Sequence, residues 1–351
     1  MRILSCVSKG YYGQSNTVEP MYIAFTEPLR ALGHEVEHFD HFLMNKQSGP
    51  AVTAERLLAR VRGGGYDAIV YQTACQTVKD IGESVREAGR YAPTIAWNSD
   101  DDFAWEPQTS LMAPFFTFMF TTYRHIYEQN RERHPNLRLS QWGCFDGFGD
   151  FDRAKDLDFT FAGQIYGDRV RSSRYLAKQA GLRVYGFMSG RVRTPGFLYW
   201  PGVRKVTFRF PSIYGAPLHY DQINAIWNRS RISYTPMESS VSANILQIKS
   251  RTFEQGLSGT LMVCRPSPCL DEFYEPGKEF VPFDDLDDCV EKVRYYLEHE
   301  SERARIARAY HDRTRAEHMW THRFQKMFED IGLRRKVWAD SCECWSRAAV
   351  D

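Results

Sequence analysis

The chain has 351 residues and carries 45 Lys plus Arg against 44 Asp plus Glu. That length exceeds one typical core and predicts two domains of roughly 150 to 180 residues each. The near-zero net charge excludes recruitment of nucleic acid or an anionic membrane by a net field, so an anionic ligand has to be held by local cations.

The first segment, MRILSCVSKG, has one early cation and only a short apolar run, unlike a secretory leader. The longest apolar run, Met112 to Phe120, falls far short of the about 20 residues that span a bilayer. A cytoplasmic protein without a membrane span is expected. The eight cysteines include no pair with the two-residue gap of a zinc knuckle or a redox motif, which fits reduced thiols.

In chain order, RILSCV, EVEHF, DAIVYQ, PTIAWN and FFTFMF read as strands separated by stretches of helical periodicity. Strands alternating with helices predict an α/β fold with a parallel sheet. Gly33 and the glycines at 63 to 65 stand where the first two helices should stop. Residues 143 to 157, GCFDGFGDFDRAKDL, lose all periodicity and read as the connection between domains, which places the boundary near residue 150. A second series follows: DFTFAGQ as a strand, RVRSSRYLAKQAG as a helix closed by Gly181, then LRVYGF, RISYTP, TLMVC and EFVPF as strands. Asp284 or Asp285 can cap the helix through CVEKVRYYLEH, and Ser301 the next one.

Several constellations could carry chemistry. The loop SKGYYGQSN follows a strand and precedes a helix, where an α/β fold presents backbone to ligands. Its Gly10 and Gly13 are spaced as GxxG, which is not a dinucleotide fingerprint. Asn98, Ser99, Asp100, Asp101 and Asp102 follow the strand PTIAW at its carboxyl end. Such crowding can raise a carboxylate toward the range of a general base; the run could also be a solvated capping turn or a hard-oxygen metal site. The pairs His34 with His38 and His318 with His322 have helical ligand spacing, but Gly33 argues that the first pair is not helical and no HExxH glutamate is present.

In the second half, Gly163 and Gly167 permit close backbone approach beside Arg169 and Arg171. The stretch KSRTFEQGLSG, residues 249 to 259, predicts a short helix ending in glycine. Phe253 and Leu257 would pack inward, leaving Lys249, Arg251 and Glu254 toward a cleft. Cations there can offset a diphosphate, and a carboxylate can accept both hydroxyls of a ribose; the alternative is a surface helix with ordinary charges.

These residues resemble a known family. The run KSRTFEQGLSGTLMV, followed by EFYEPGKEFVPFDDLDDCVEKVRYYLEHESERARIARAYHDRTRAEHMWTHRF, is similar to the carboxyl lobe of glycosyltransferases with the GT-B fold, specifically the group related to CgeB-type spore maturation proteins. Arg251, Phe253, Glu254, Gly259, Phe273, Gly277, Glu279, Tyr296 and Leu297 fit in order. WNSDDDF and DFTFAGQIYGDR resemble two further elements of that group, with Asp102 where a proline is usual. Leu246 stands eight residues before Glu254, where many retaining GT-B enzymes carry a second glutamate.

The resemblance implies two Rossmann-like lobes with a cleft: residues 1 to 150, joined by a carboxyl-terminal helix from about His318, on the acceptor side, and residues 151 to 317 binding the donor. It implies Glu254 on the ribose of a nucleotide sugar and Arg169, Lys249 and Arg251 on the diphosphate. Gly163, Ser258 and Gly259 would shape the pocket, and Tyr214 and Gly215 would lie near the base. Tyr11, Tyr12 and Gly13 would face the acceptor, with Asp100 or Asp101 as the catalytic base. The cations would stabilise the leaving group without a metal, and the nucleotide diphosphate sugar is a co-substrate, with no other cofactor. The acceptor could be a small molecule, a glycan or a protein. The alternatives are a non-catalytic GT-B-like spore-coat, scaffold or sugar-binding protein, and a GT-B-fold sugar-nucleotide epimerase.

Overall fold

A computed structural model of the chain describes residues 1–10, 20–72, 77–165, 167–186, 213–215, 220–239 and 245–333. These residues form two compact units, one of Met1–Gln141 together with the described residues from Thr321, the other of Trp142–Trp320. Among the described residues no helix is long and apolar enough to cross a membrane.

The first unit runs β1 (Arg2–Cys6), α1 (Pro20–Ala31), β2 (Glu35–His38), α2 (His41–Gly64), β3 (Ala68–Gln72), α3 (Thr77–Asp80), α4 (Gly82–Ala88), β4 (Thr94–Asn98), α5 (Asp101–Ala104), a π-helical turn (Trp105–Thr109), α6 (Ser110–Met112), β5 (Phe118–Thr121), α7 (Arg124–Asn130) and β6 (Leu137–Leu139). Its sheet has the order β2-β1-β3-β4-β5-β6, and every pairing is parallel. Strands buried on both faces need near-continuous apolar sequence, which is why AIVYQ and TIAWN are almost wholly buried. Asp40 caps α2 by accepting from the Leu43 amide, and Gly65, at φ 58°, ends it in the left-handed conformation. The strand expected from Phe115 begins later, at Phe118, because Pro114 bends Ala113–Phe115 into a 3-10 turn.

The second unit runs β7 (Leu157–Ala162), α8 (Arg169–Ala180), β8 (Arg183–Gly186), β9 (Ile213–Gly215), α9 (Tyr220–Arg229), β10 (Ser230–Tyr234), α10 (Arg251–Glu254) continued by a 3-10 turn (Gln255–Ser258), β11 (Leu261–Cys264), β12 (Val281–Pro282), α11 (Leu286–Glu298) and α12 (Glu300–Glu317), after which the chain continues as α13 (Trp320–Asp330). Its sheet, also parallel throughout, has the order β12-β11-β10-β7-β8-β9. The expected capping by Asp285 is found, its carboxylate accepting from the amides of Asp287 and Asp288. Ser301 is not a cap: α12 starts one residue before it, with His299 at the cap position and no side-chain bond there. Most of α13 belongs to the first unit, where Phe324 packs edge-on against Phe25 at 5.2 Å and Phe328 lies against His34.

The division between units falls at Gln141, earlier than the boundary near residue 150 drawn from sequence. The aperiodic stretch after it packs into the second unit. Cys144 exchanges backbone bonds with His318 and Trp320, and Phe148 is buried against Trp227.

Candidate functional site

Each sheet reverses its winding once, between β1 and β3 in the first unit and between β7 and β10 in the second. Loops beyond the carboxyl ends of strands at such a reversal diverge and leave a crevice for ligands. In the second unit these are the loop after β7, which holds Gly163, and the loop after β10, which leads toward α10.

Gly163 has φ 141° and Gly186 has φ 139°, both outside the range that side chains tolerate. The Gly163 amide donates to the Tyr185 carbonyl at 2.9 Å, and a Cβ on Gly186 would lie 2.0 Å from the Gly163 carbonyl oxygen. A Cβ on Gly163 itself would sit 3.1 Å from a guanidinium nitrogen of Arg251. Arg251 lies over the face of Phe161, 5.2 Å from its centroid, a cation–π arrangement that fixes the charge above the end of β7. Arg169, the first residue of α8, is only 2% exposed. Its guanidinium donates to the carbonyls of Glu238 at 2.7 Å and Gln164 at 3.3 Å, tying the loop after β7 to the loop after β10. Lys249 is partly buried just before α10, its carbonyl accepting from the Thr252 amide.

Glu254 ends α10 with its carboxylate buried. Burial pushes its pKa up to about 7, while the hydrogen bond from Tyr220 and the charge of Arg251 pull in the opposite direction. The Tyr220 hydroxyl donates to Glu254 Oε1 at 3.0 Å. Tyr220 is in turn held by Phe148, 4.6 Å away, and stacks on Phe145 at 17°. The expected inward face of this helix is found as well: Phe253 is fully buried and Leu257 nearly so.

Gly163, Arg251, Arg169 and Glu254 thus cluster around the carboxyl ends of β7 and β10, with Lys249 in the segment that leads into α10. Ser258 and Gly259 do not join them. The helix that starts at that edge runs back to the opposite one, where Gly259, at φ 66°, closes it before β11 begins. A Cβ on Gly259 would meet the Phe151 carbonyl at 2.9 Å. The Ser258 carbonyl accepts from the partly buried ammonium of Lys155, whose pKa desolvation lowers to about 8. These two residues close the helix and do not border the crevice. Tyr214 and Gly215 form the end of edge strand β9, paired with Tyr185 and Gly186. Tyr11, Tyr12 and Gly13 lie outside the described residues.

In the first unit, Asp100 occupies the cap position of α5, yet its side chain makes no capping bond. The solvated capping turn therefore does not describe this run. Asp101 is 1% exposed, and burial raises its pKa to about 6. The hydroxyls of Thr121 and Thr109 approach it closely enough to favour ionisation, but neither completes a hydrogen bond to its oxygens. Asp102 accepts from Tyr123 at 3.2 Å. A pocket of about 60 Å³ opens here, lined by Asn98, Ser99, Asp100, Asp101, Phe103 and Gln108 among others.

Among the described residues no three His, Cys, Asp or Glu side chains are grouped to hold a metal ion. His38 is in a strand and bonds the Val7 carbonyl, and His318 bonds the Phe273 carbonyl, so each is committed to backbone. Tyr220, Phe103 and Lys155 were not singled out from sequence. A lone tyrosine at a helix start or a lysine in an aperiodic connection carries no local signature, since its partner lies 34 or 103 residues away.

Two parallel-sheet units, the second with a buried carboxylate and cations beyond its strand ends, define the GT-B class of α/β protein. The model of the glycosyl transferase-like family matches residues 150–329, and the chain belongs to that family. No curated protein sequence matches. Among solved structures, an α-glucosyltransferase in complex with UDP and a 13-mer DNA has a TM-score of 0.68 at 12% identity, covering 95% of this chain and 99% of that one. Anabaena HepE in complex with UDP gives 0.62 at 12%, covering 95% and 100%. Sucrose-phosphate synthase from Thermosynechococcus elongatus gives 0.61 at 10%, covering 95% and 99%.

Proposed function

We propose that the protein transfers a sugar from a nucleoside diphosphate donor to an acceptor hydroxyl, without a metal ion. The observation that carries this reading is the buried Glu254 carboxylate, aimed by Tyr220 and set beside Arg251 at the end of β7. A buried carboxylate with one fixed hydrogen-bond donor can accept the paired hydroxyls of a ribose. The phosphates would then meet Arg251 and Lys249 over Gly163, whose missing side chain permits close approach. Cations at that position stabilise charge developing on the leaving diphosphate, the role a divalent metal plays elsewhere. Arg169 shapes the same crevice by joining its two loops. Asp101 is the acceptor-side base: burial brings its pKa to about 6, near the range in which a carboxylate both accepts and releases a proton. Within the family, the motif order from Arg251 to Leu297 supports the CgeB-type group.

HepE and the α-glucosyltransferase are described in complex with UDP, which makes uridine diphosphate the first nucleotide to test. Calorimetry with uridine, guanosine and thymidine diphosphates should show binding of at least one, weakened tenfold or more by Glu254→Ala, since the loss of a charged hydrogen-bond partner costs roughly 1.5–3 kcal/mol. No binding to any of the three, or undiminished binding by the variant, overturns the donor assignment.

A further inference from the structure

We propose that the pocket at the end of β4 is a saccharide subsite, so that the acceptor is a carbohydrate whose hydroxyl end enters the pocket while its ring lies on Phe103. This rests on the transferase reading for the word acceptor, but the subsite stands on its own geometry.

Three observations converge. Phe103 lines the pocket yet is 48% exposed, an apolar ring beside a hole whose wall also carries Asn98, Ser99 and Asp101. Sugar rings present a patch of C–H groups that covers such a face, and their hydroxyls reach past it. Next, Asp101 lies on the pocket wall at 1% exposure; the hydroxyls of Thr109 and Thr121 come near its carboxylate, but neither oxygen has a completed hydrogen bond. A buried carboxylate in that state costs free energy unless a donor reaches it, and a hydroxyl supplies one. Last, the wall carrying Gln108 and Thr109 is a π-helical turn, Trp105–Thr109. Such turns widen a helix locally at a cost in regular hydrogen bonding and recur at functional sites.

The volume of about 60 Å³ suits one hydroxymethyl or a pair of ring hydroxyls, not a whole sugar, so the ring must remain outside on Phe103. The lining fits hydroxyls better than a lone cation. Asn98 spends an amide hydrogen on the Phe120 carbonyl at 3.2 Å, which fixes its orientation, and Ser99 can both donate and accept. An alkylammonium could meet the carboxylates and the amide and hydroxyl oxygens but, having no acceptor, leaves the amide and hydroxyl hydrogens unanswered.

The test is saturation-transfer NMR and chemical-shift mapping on the full chain with methyl α-glucoside, glycerol and ethanolamine, alongside a separate UDP titration. The glucoside should contact Phe103, with affinity reduced about fivefold in Phe103→Ala, the size of a typical aromatic stacking contribution. Tyr91→Ala, which removes another exposed aromatic, should change nothing. Because Phe103 is half exposed, its replacement leaves the fold in place and the loss reads the ring contact alone. Glucoside binding indifferent to Phe103→Ala, no glucoside contact, or stronger perturbation by ethanolamine overturns the inference. UDP binding without saccharide binding sinks the subsite and spares the donor site; the reverse sinks the donor site alone.

Discussion

The Tyr220 hydroxyl, at the start of α9, donates to Glu254 Oε1 at 3.0 Å, although the two residues are 34 apart in sequence. The bond joins the helix before β10 to the helix after it and fixes the direction of the only carboxylate in α10. Tyr220→Phe keeps the packing on Phe145 and Phe148 and removes only the oxygen. We expect nucleotide affinity to fall three- to tenfold, about 1 kcal/mol for one uncharged donor's contribution, with the Glu254 pKa moving above its present value of about 7. Calorimetry across pH reads both; unchanged affinity and an unchanged midpoint would separate Tyr220 from the site.

Glu254 also sets a sign for stability against pH. Its pKa is raised from 4.5 to about 7 by burial, so the folded chain binds its proton more tightly than the unfolded chain. Stability from this group is complete below pH 4.5 and is lost as pH rises to about 7, in total about 3 kcal/mol at 1.36 kcal/mol per unit. Glu254→Gln does not titrate. It should raise the melting temperature relative to wild type at pH 8 and give no such gain at pH 4.5. The nearby Cys144 and Tyr310 stay neutral across this range because burial raises both well above their ordinary values. An equal difference at the two pH values would rule out a buried, titrating Glu254.

The glycines at the strand ends differ in what a methyl group would meet. At Gly186 a Cβ would be 2.0 Å from backbone, the Gly163 carbonyl oxygen; at Gly163 it would be 3.1 Å from the end of a flexible side chain, Arg251. Both carry the strain of positive φ. Gly186→Ala should destabilise by about 3 kcal/mol or more, Gly163→Ala by about 1–2 kcal/mol, measured by urea unfolding. Gly163→Ala should in addition weaken nucleotide binding, because the added methyl group displaces Arg251. Equal unfolding midpoints for the two would contradict this packing.

What could be read from sequence depended on how local its cause was. The strands were legible because parallel strands buried on two faces need unbroken apolar runs, as in AIVYQ and TIAWN. Gly33, Gly65 and Gly181 were legible because a helix end in the left-handed conformation asks for glycine. The placement of Ser258 and Gly259 was not: adjacency to Glu254 suggested one pocket, but the helix carries them to the opposite edge of the sheet. Nearness in sequence gives way there to the rise of the helix. Tyr220 was silent for the converse reason, since the connection at residues 143 to 157 delivers Phe145 and Phe148 to it from far along the chain.

Asp101 separates a catalytic from a structural role by pH. Its carboxyl is buried and its pKa raised from 3.8 to about 6, so it is ionised and able to accept a proton above pH 6 and protonated below. If it is the base, sugar transfer should fall tenfold per unit as pH drops below about 6, and Asp101→Asn should lower kcat by about 10²–10⁴ at pH 7.5 with UDP affinity unchanged. Stability moves the other way. The raised pKa means wild-type folding loses free energy as pH climbs from about 4 to 6, so the asparagine variant should be at least as stable as wild type at pH 7.5. Asp100, partly exposed, supplies the control: Asp100→Asn should leave the acid limb in place. Activity retained in Asp101→Asn, with the acid limb lost in Asp100→Asn, would transfer the base role to its neighbour.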